Sequence, residues 1–294
     1  MDKFNRDWII RNAVEELREY GDGMITVRGL HYRLVSRGMT NSQKHYKRVV
    51  AAMTSARWDN VVGFDQFADK ERDTHGSTDY EQTTVDGKVS SSQYAIKRYF
   101  KNYHKNRWEN QPKYVEVWIE KKALQAVFEG PCDKHDVLLA PCKGYPSLTF
   151  LKEAYDRFTE AENEGLDPVI LYFGDYDPSG EDIPRSVQDN LARMGVDVKV
   201  ERCALLAHQV EAWNLPPAPA KATDSRTLNA SMDVQIELDA VEPRQLRQLC
   251  EDAILSQFDQ DIYEELLETE TEEKKEYQEK LRDFFANLDL DELE

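Results

Sequence analysis

The chain has no apolar run approaching the roughly 18 residues that a membrane span requires. Its opening residues, Met-Asp-Lys-Phe-Asn-Arg-Asp-Trp, lack the apolar stretch of a signal peptide. These absences lead us to expect a soluble protein. Cysteine is scarce as well: Cys132, Cys142, Cys203 and Cys250 are too scattered for a zinc motif or a disulfide framework. A reducing cytoplasm is the expected setting. Positive charge is also in short supply, with a formal net charge of −18, which speaks against a uniformly basic nucleic-acid-binding surface. The deficit is uneven, however. Residues 1–112 carry about +4 and the remainder about −22, so a polyanion is expected to meet the front third.

That front third reads as three short helices with tight turns. Ile10, Ala13, Val14 and Leu17 make one apolar stripe that ends at Gly21–Gly23. Thr26 caps a second helix from Val27 to about Arg37, closed by Gly38, and Asn41 and Ser42 cap a third. The third helix buries Tyr46, Val49, Val50 and Met53 and turns Lys44, Lys47 and Arg48 outward. Such a unit is a helix-turn-helix core or, equally, a small helical bundle with a solvated face. Val61–Phe67 is expected to add a short strand and wing, closed by residues 69–72. Asp86-Gly87 carries the signature of a tight hairpin. Beyond it, Lys97, Arg98, Lys101 and Lys105 interleave with Tyr99, Phe100 and Tyr103. That mixture suits DNA phosphates and bases, or else an ordinary amphipathic helix.

From Tyr114 the pattern changes to alternating strands and helices. Strands are expected at 115–119, 137–140, 169–173 and 196–202, with helices at 121–128, 147–164 and 183–194 between them, which means a parallel sheet. Glu120 ends the first strand, and Asp175 and Asp177 end the third. All three acids are therefore expected on the rim where open α/β sheets hold ligands, and where Mg²⁺ or Mn²⁺ would find hard oxygen donors. Pro216, Pro217 and Pro219 mark a rigid loop, and Thr223–Arg226 a capped turn. Ile236-Glu237-Leu238-Asp239 alternates like a strand with one wet face, its acids solvated or reaching the metal. Residues 244–258 are amphipathic, and the rest reads as an acidic helical extension ending in a frayed tail.

The segments Trp118-Ile119-Glu120-Lys121 and Gly174-Asp175-Tyr176-Asp177 resemble a Toprim domain. Arg28-Gly29-Leu30-His31-Tyr32 is similar to the nucleophile segment of the topoisomerase VI (type IIB) A subunit and the related meiotic double-strand-break transesterase. It departs from them at Gly29, where an acid is common, and at His31, where an aromatic is. The likeness spans roughly residues 25–205. It is closer to compact stand-alone homologues from mobile elements than to a full topoisomerase subunit. It implies an α/β chain, α+β overall: a CAP-like winged helix (1–75), a linker with a basic and aromatic segment (76–112), a Toprim domain (113–240) and a helical extension (241–294). The activity it implies is double-stranded DNA cleavage by Tyr32 assisted by Arg28. The metal would sit on Glu120, Asp175 and Asp177, and Lys44, Lys47, Arg48, Lys97, Arg98, Lys101 and Lys105 would lie along the DNA. A homodimer sharing its sites, and a separate ATPase subunit, are the partners it suggests. Two alternatives remain: a Toprim nuclease that uses water and keeps Tyr32 as a buried helix tyrosine, and a non-catalytic DNA-binding protein of a mobile element.

Overall fold

The computed structural model describes residues 3–20, 24–67, 84–217 and 235–287. Helix-ending Gly21–Gly23, the closing segment 69–72, Pro219, the turn at Thr223–Arg226 and the terminal tail lie outside them. The chain forms two compact units, Met1–Asp73 with Pro112–Gln257, and Thr74–Gln111 with Phe258–Glu294. Among the described residues no helix is long and apolar enough to cross a membrane.

The first unit opens with α1 (Arg6–Tyr20), α2 (Val27–Ser36) and α3 (Gln43–Trp58). Thr26 Oγ accepts from Gly29 N to start α2, and Ser42 Oγ accepts from His45 N to start α3, as the cap residues dictate. Ile9, Ala13, Leu17, Leu30, Leu34, Val49 and Met53 close one apolar core. Glu16 is buried beside it and takes Arg33 and Arg37 as partners. The expected strand and wing after α3 reduce to one parallel bridge between Ile25 and Phe67. The three expected helices form, while the β part expected of a winged helix is slight among the described residues.

Four parallel strands follow: β1 (Lys113–Ile119), β2 (Leu138–Pro141), β3 (Asp167–Phe173) and β4 (Lys199–Ala204), in the order β2-β1-β3-β4. The direction of winding reverses between β1 and β3, so the crevice of this sheet opens at their carboxyl ends. Side chains alternate across β3. Ile170 and Tyr172 join Phe158, Ile183 and Leu191 under α6 (Leu148–Asn163) and α7 (Pro178–Met194). Phe173 meets Phe128 of α5 (Gln125–Lys134), which packs on α9 (Pro243–Leu255). A short helix, α8 (Ala207–Ala212), follows β4. With both sheet faces covered, β3 has the unbroken apolar run of a buried parallel strand.

The second unit pairs α4 (Val85–Lys101) with α10 (Gln260–Ala286). The expected hairpin at Asp86-Gly87 is instead the first turn of α4, because Thr84 Oγ accepts from Gly87 N and caps it. The cap outweighs the turn-forming dipeptide. Phe100 stacks on Phe285, and Tyr103 lies 5.2 Å from Tyr277. α4 itself buries no residue.

One charge sits inside the sheet's core. Glu116 is fully buried on β1, where it accepts from Arg157 (2.7 and 3.0 Å), Tyr114 Oη (3.0 Å) and Trp118 Nε1 (2.8 Å). Removing one partner of such a pair strands the other charge in low dielectric. Arg157→Met is therefore expected to cost about 3–5 kcal/mol of unfolding free energy, measured by urea titration, whereas Lys152→Ala at an exposed pair should cost about 1 kcal/mol or less.

Candidate functional site

A cleft of about 1010 Å³ opens over the carboxyl ends of β1 and β3 and is lined by Glu120, Asp175 and Asp177 from the sheet and by Arg28 and Tyr46 from α2 and α3. Of the expected residues, therefore, the three acids and Arg28 meet in one place. Each acid is held by a backbone donor. Glu120 Oε2 accepts from Asp175 N (2.9 Å), Asp175 Oδ1 from Leu238 N (2.7 Å), and Asp177 Oδ1 from Gly180 N (2.7 Å) as it caps α7. Gly180 is required there, since a Cβ at that position would stand 2.2 Å from the Asp175 carbonyl oxygen.

A second group of acids, for which the sequence left open either solvation or approach to the metal, lines the same cleft. Glu237 and Asp239 are buried rather than solvated, because residues 235–240 do not form a strand with a wet face. Ile236 instead bridges to Tyr176, and Leu238–Ala240 makes a 3₁₀ turn packed on α2. Asp239 Oδ1 accepts from Thr26 Oγ (2.5 Å), and Glu237 takes Arg28 (Nε 3.2 Å, Nη1 3.2 Å). At Gly29 a Cβ would lie 3.0 Å from the Asp239 carbonyl oxygen and 3.1 Å from Ile25, so a larger residue there would have to push the turn or its neighbours aside.

Lys121 lies between the two groups. Its ammonium pairs with Asp239 (2.9 Å), Glu237 (3.1 Å) and Asp175 (3.2 Å). Burial works against that charge, but Asp239, Asp175 and Glu237 hold its pKa above the ordinary lysine value. Burial also raises Asp175, with Glu120 adding to the shift and Lys121 opposing it. Glu120 is raised by burial and by Asp177, against the pull of the Asp175 amide. These carboxylates are hard oxygen donors that are short of positive charge, so they fit a divalent cation that keeps most of its waters. Yet among the described residues no three of the acids are already arranged as a metal cage. Asp177 is turned to its helix cap and Asp175 is drawn to Lys121.

Tyr32 is 1% exposed, and its hydroxyl has no hydrogen-bond partner. Burial raises its pKa, and Glu237 reinforces the shift while Arg28 and Lys121 oppose it. The phenol standing in the cleft is Tyr46, expected in the buried stripe of α3 but half-buried here, with the Arg28 guanidinium 4.6 Å over its ring. Val50 lines the cleft as well, whereas Val49 and Met53 are buried as expected.

The expected DNA-binding residues divide. Lys44 and Lys47 are exposed on α3, and Arg48 lines a separate groove with Phe4 and Arg6. In the second unit Lys97, Arg98 and Lys101 are exposed, with no ion pair among the described residues. Lys105 is tied to Glu273 (3.1 Å) and Glu109 (3.2 Å), and Arg107 to Glu270 (2.8 Å). Comparison with known proteins returns nothing: no family model, no curated protein and no solved structure matches this chain.

His31 is buried next to Arg28, its Nε2 3.3 Å from Asn41 Oδ1 and its Nδ1 without a partner. Burial lowers its pKa, Asn41 partly compensates, and Arg28 and His45 lower it further. The folded state therefore binds fewer protons than the unfolded state. Stability from this group is complete above the unfolded value of about 6.5 and is lost as pH falls through the depressed folded value. Urea titrations at about pH 7.5 and about pH 5 should show wild type losing up to about 1.4 kcal/mol per pH unit more than His31→Gln.

Proposed function

We propose that the chain cleaves double-stranded DNA in this cleft by transesterification, with Tyr32 as nucleophile and Mg²⁺ or Mn²⁺ held by Glu120, Asp175 and Asp177. The observation that carries this reading is the meeting of those acids, at the ends of the two central strands, with Arg28 in one cleft. The metal, when bound, withdraws charge from the phosphate oxygens and the leaving group. Arg28 supplies a second positive charge beside the acids, set by its pairing with Glu237. Attack by the Tyr32 oxygen forms a phosphotyrosine and breaks the bond to the sugar oxygen, which leaves as a hydroxyl on taking up a proton from solvent to match the one the phenol gives up. The number of phosphoester bonds is conserved, so resealing requires no ATP.

Burial of Tyr32 sets a condition on this reading. α2 must loosen from the Glu237–Asp239 turn for the hydroxyl to reach a phosphate. A homodimer in which Tyr32, once exposed, serves the neighbouring protomer's acids supplies the two nucleophiles of a double-strand break. A separate ATPase subunit would be the natural source of the opening. The same burial favours a second reading, in which water attacks and Tyr32 stays structural.

Supercoiled plasmid with Mn²⁺ separates these readings. Wild type should nick or linearise it and leave protein on the DNA end, whereas the Glu120→Ala, Asp177→Ala double variant should do neither and should bind no Mn²⁺ at that site in calorimetry. Tyr32→Phe should abolish the protein–DNA linkage, and Tyr46→Phe should preserve it. Cutting that leaves protein-free ends and survives Tyr32→Phe would establish hydrolysis. Plasmid retained but never cut, with or without an ATPase partner, would leave a DNA-binding protein. Mixing Tyr32→Phe with Glu120→Ala protein should restore cutting if sites are shared between protomers.

A further inference from the structure

An ammonium group has three N–H donors, and those of Lys121 face three carboxylates brought from two parts of the chain. Asp175 Oδ2 lies at 3.2 Å, Glu237 Oε2 at 3.1 Å and Asp239 Oδ2 at 2.9 Å. None is left for a phosphate, so in this arrangement Lys121 contacts no substrate and acts as an internal counter-ion. Asp175 stands between this half of the cleft and the half occupied by Glu120 and Asp177. A carboxylate so placed is shared between two positions for positive charge.

We infer that Lys121 occupies the second cation position of a two-cation site: its ammonium, tethered next to Glu120 in the chain, neutralises Asp175, Glu237 and Asp239 in place of a second divalent ion. Lys121 is on this view a positioning residue that fixes how many ions the cleft takes. It also explains why the acids do not stand as a ready cage, since Asp175 is drawn toward the ammonium. The inference rests on the proposal that Glu120, Asp175 and Asp177 hold the first ion.

The test is the Mn²⁺ stoichiometry of the intact protein, read by calorimetry and by the electron paramagnetic resonance of free Mn²⁺. Wild type should bind one ion and Lys121→Gln two. Lys121→Gln combined with Asp239→Asn should return to one. One ion in both wild type and Lys121→Gln would overturn the inference and leave the first metal site standing. No ion in either would overturn both. No ion in wild type and one in Lys121→Gln would support the inference and overturn the first site. Should Lys121→Gln fail to fold alone, Mn²⁺ is expected to restore its thermal transition. Failure to fold at any Mn²⁺ concentration would overturn the inference, because the stranded carboxylates would then have refused the ion.

Discussion

The structure turns on the cost of gathering five carboxylates at one place, three of them, Asp175, Glu237 and Asp239, buried and two, Glu120 and Asp177, half-buried. Glu120, Asp175, Asp177, Glu237 and Asp239 line a single cleft, in which Lys121 and Arg28 pair with Asp175, Glu237 and Asp239. Charges of one sign repel strongly, and the buried ones also lack the hydration that would stabilise them in solution. The fold offsets this with backbone amides aimed at Glu120, Asp175 and Asp177, with the Thr26 hydroxyl on Asp239, and with one ammonium shared three ways. Neighbouring features follow from that demand. Gly180 and Gly29 let chain segments approach where a side chain would block them. The Leu238–Ala240 turn supplies the amide for Asp175 and at the same time seats α2.

That turn links the three-helix unit to the sheet's rim within one compact unit. Thr26 caps α2 and donates to Asp239, and Arg28 two residues on pairs with Glu237. A helix whose first turn is held in this way cannot slide along its axis without breaking a buried hydrogen bond and a half-buried ion pair together. The position of Tyr32, one turn further, is thus set by residues more than two hundred positions away in sequence.

Much of the fold was legible because local rules and burial agreed. The apolar block at β3, the caps Thr26 and Ser42, and the alternation of strand and helix after Tyr114 each stated one structure, and that structure formed. Glu120, Asp175 and Asp177 were legible because strand ends in a parallel sheet share a rim. Lys121 was not, since a lysine beside a glutamate has no local signal that distinguishes a surface charge from a buried counter-ion. Glu237 and Asp239 alternate with apolar residues as a half-wet strand does, and only tertiary contacts with Thr26, Arg28 and Lys121 reveal them as interior. Asp86-Gly87 misled because a turn dipeptide and the first turn of a capped helix use the same residues. Tyr46 and Val50 sit at the edge of a stripe, where helical periodicity alone cannot say whether the neighbouring surface is core or cleft.

The helical pair of α4 and α10 has a consequence for the proposed binding of DNA. Glu270 and Glu273 on α10 engage Arg107 and Lys105 through carboxylates that belong to the same molecule. A tethered competitor acts at an effective concentration that dilution does not change. Any phosphate reaching these two side chains must displace an anion already in place, so the gain from releasing condensed counterions is smaller there than at Lys97, Arg98 and Lys101. On the proposed reading the acidic helix stands in for a phosphate backbone at Lys105 and Arg107, dividing one basic segment into a part that is exposed and a part that is pre-occupied.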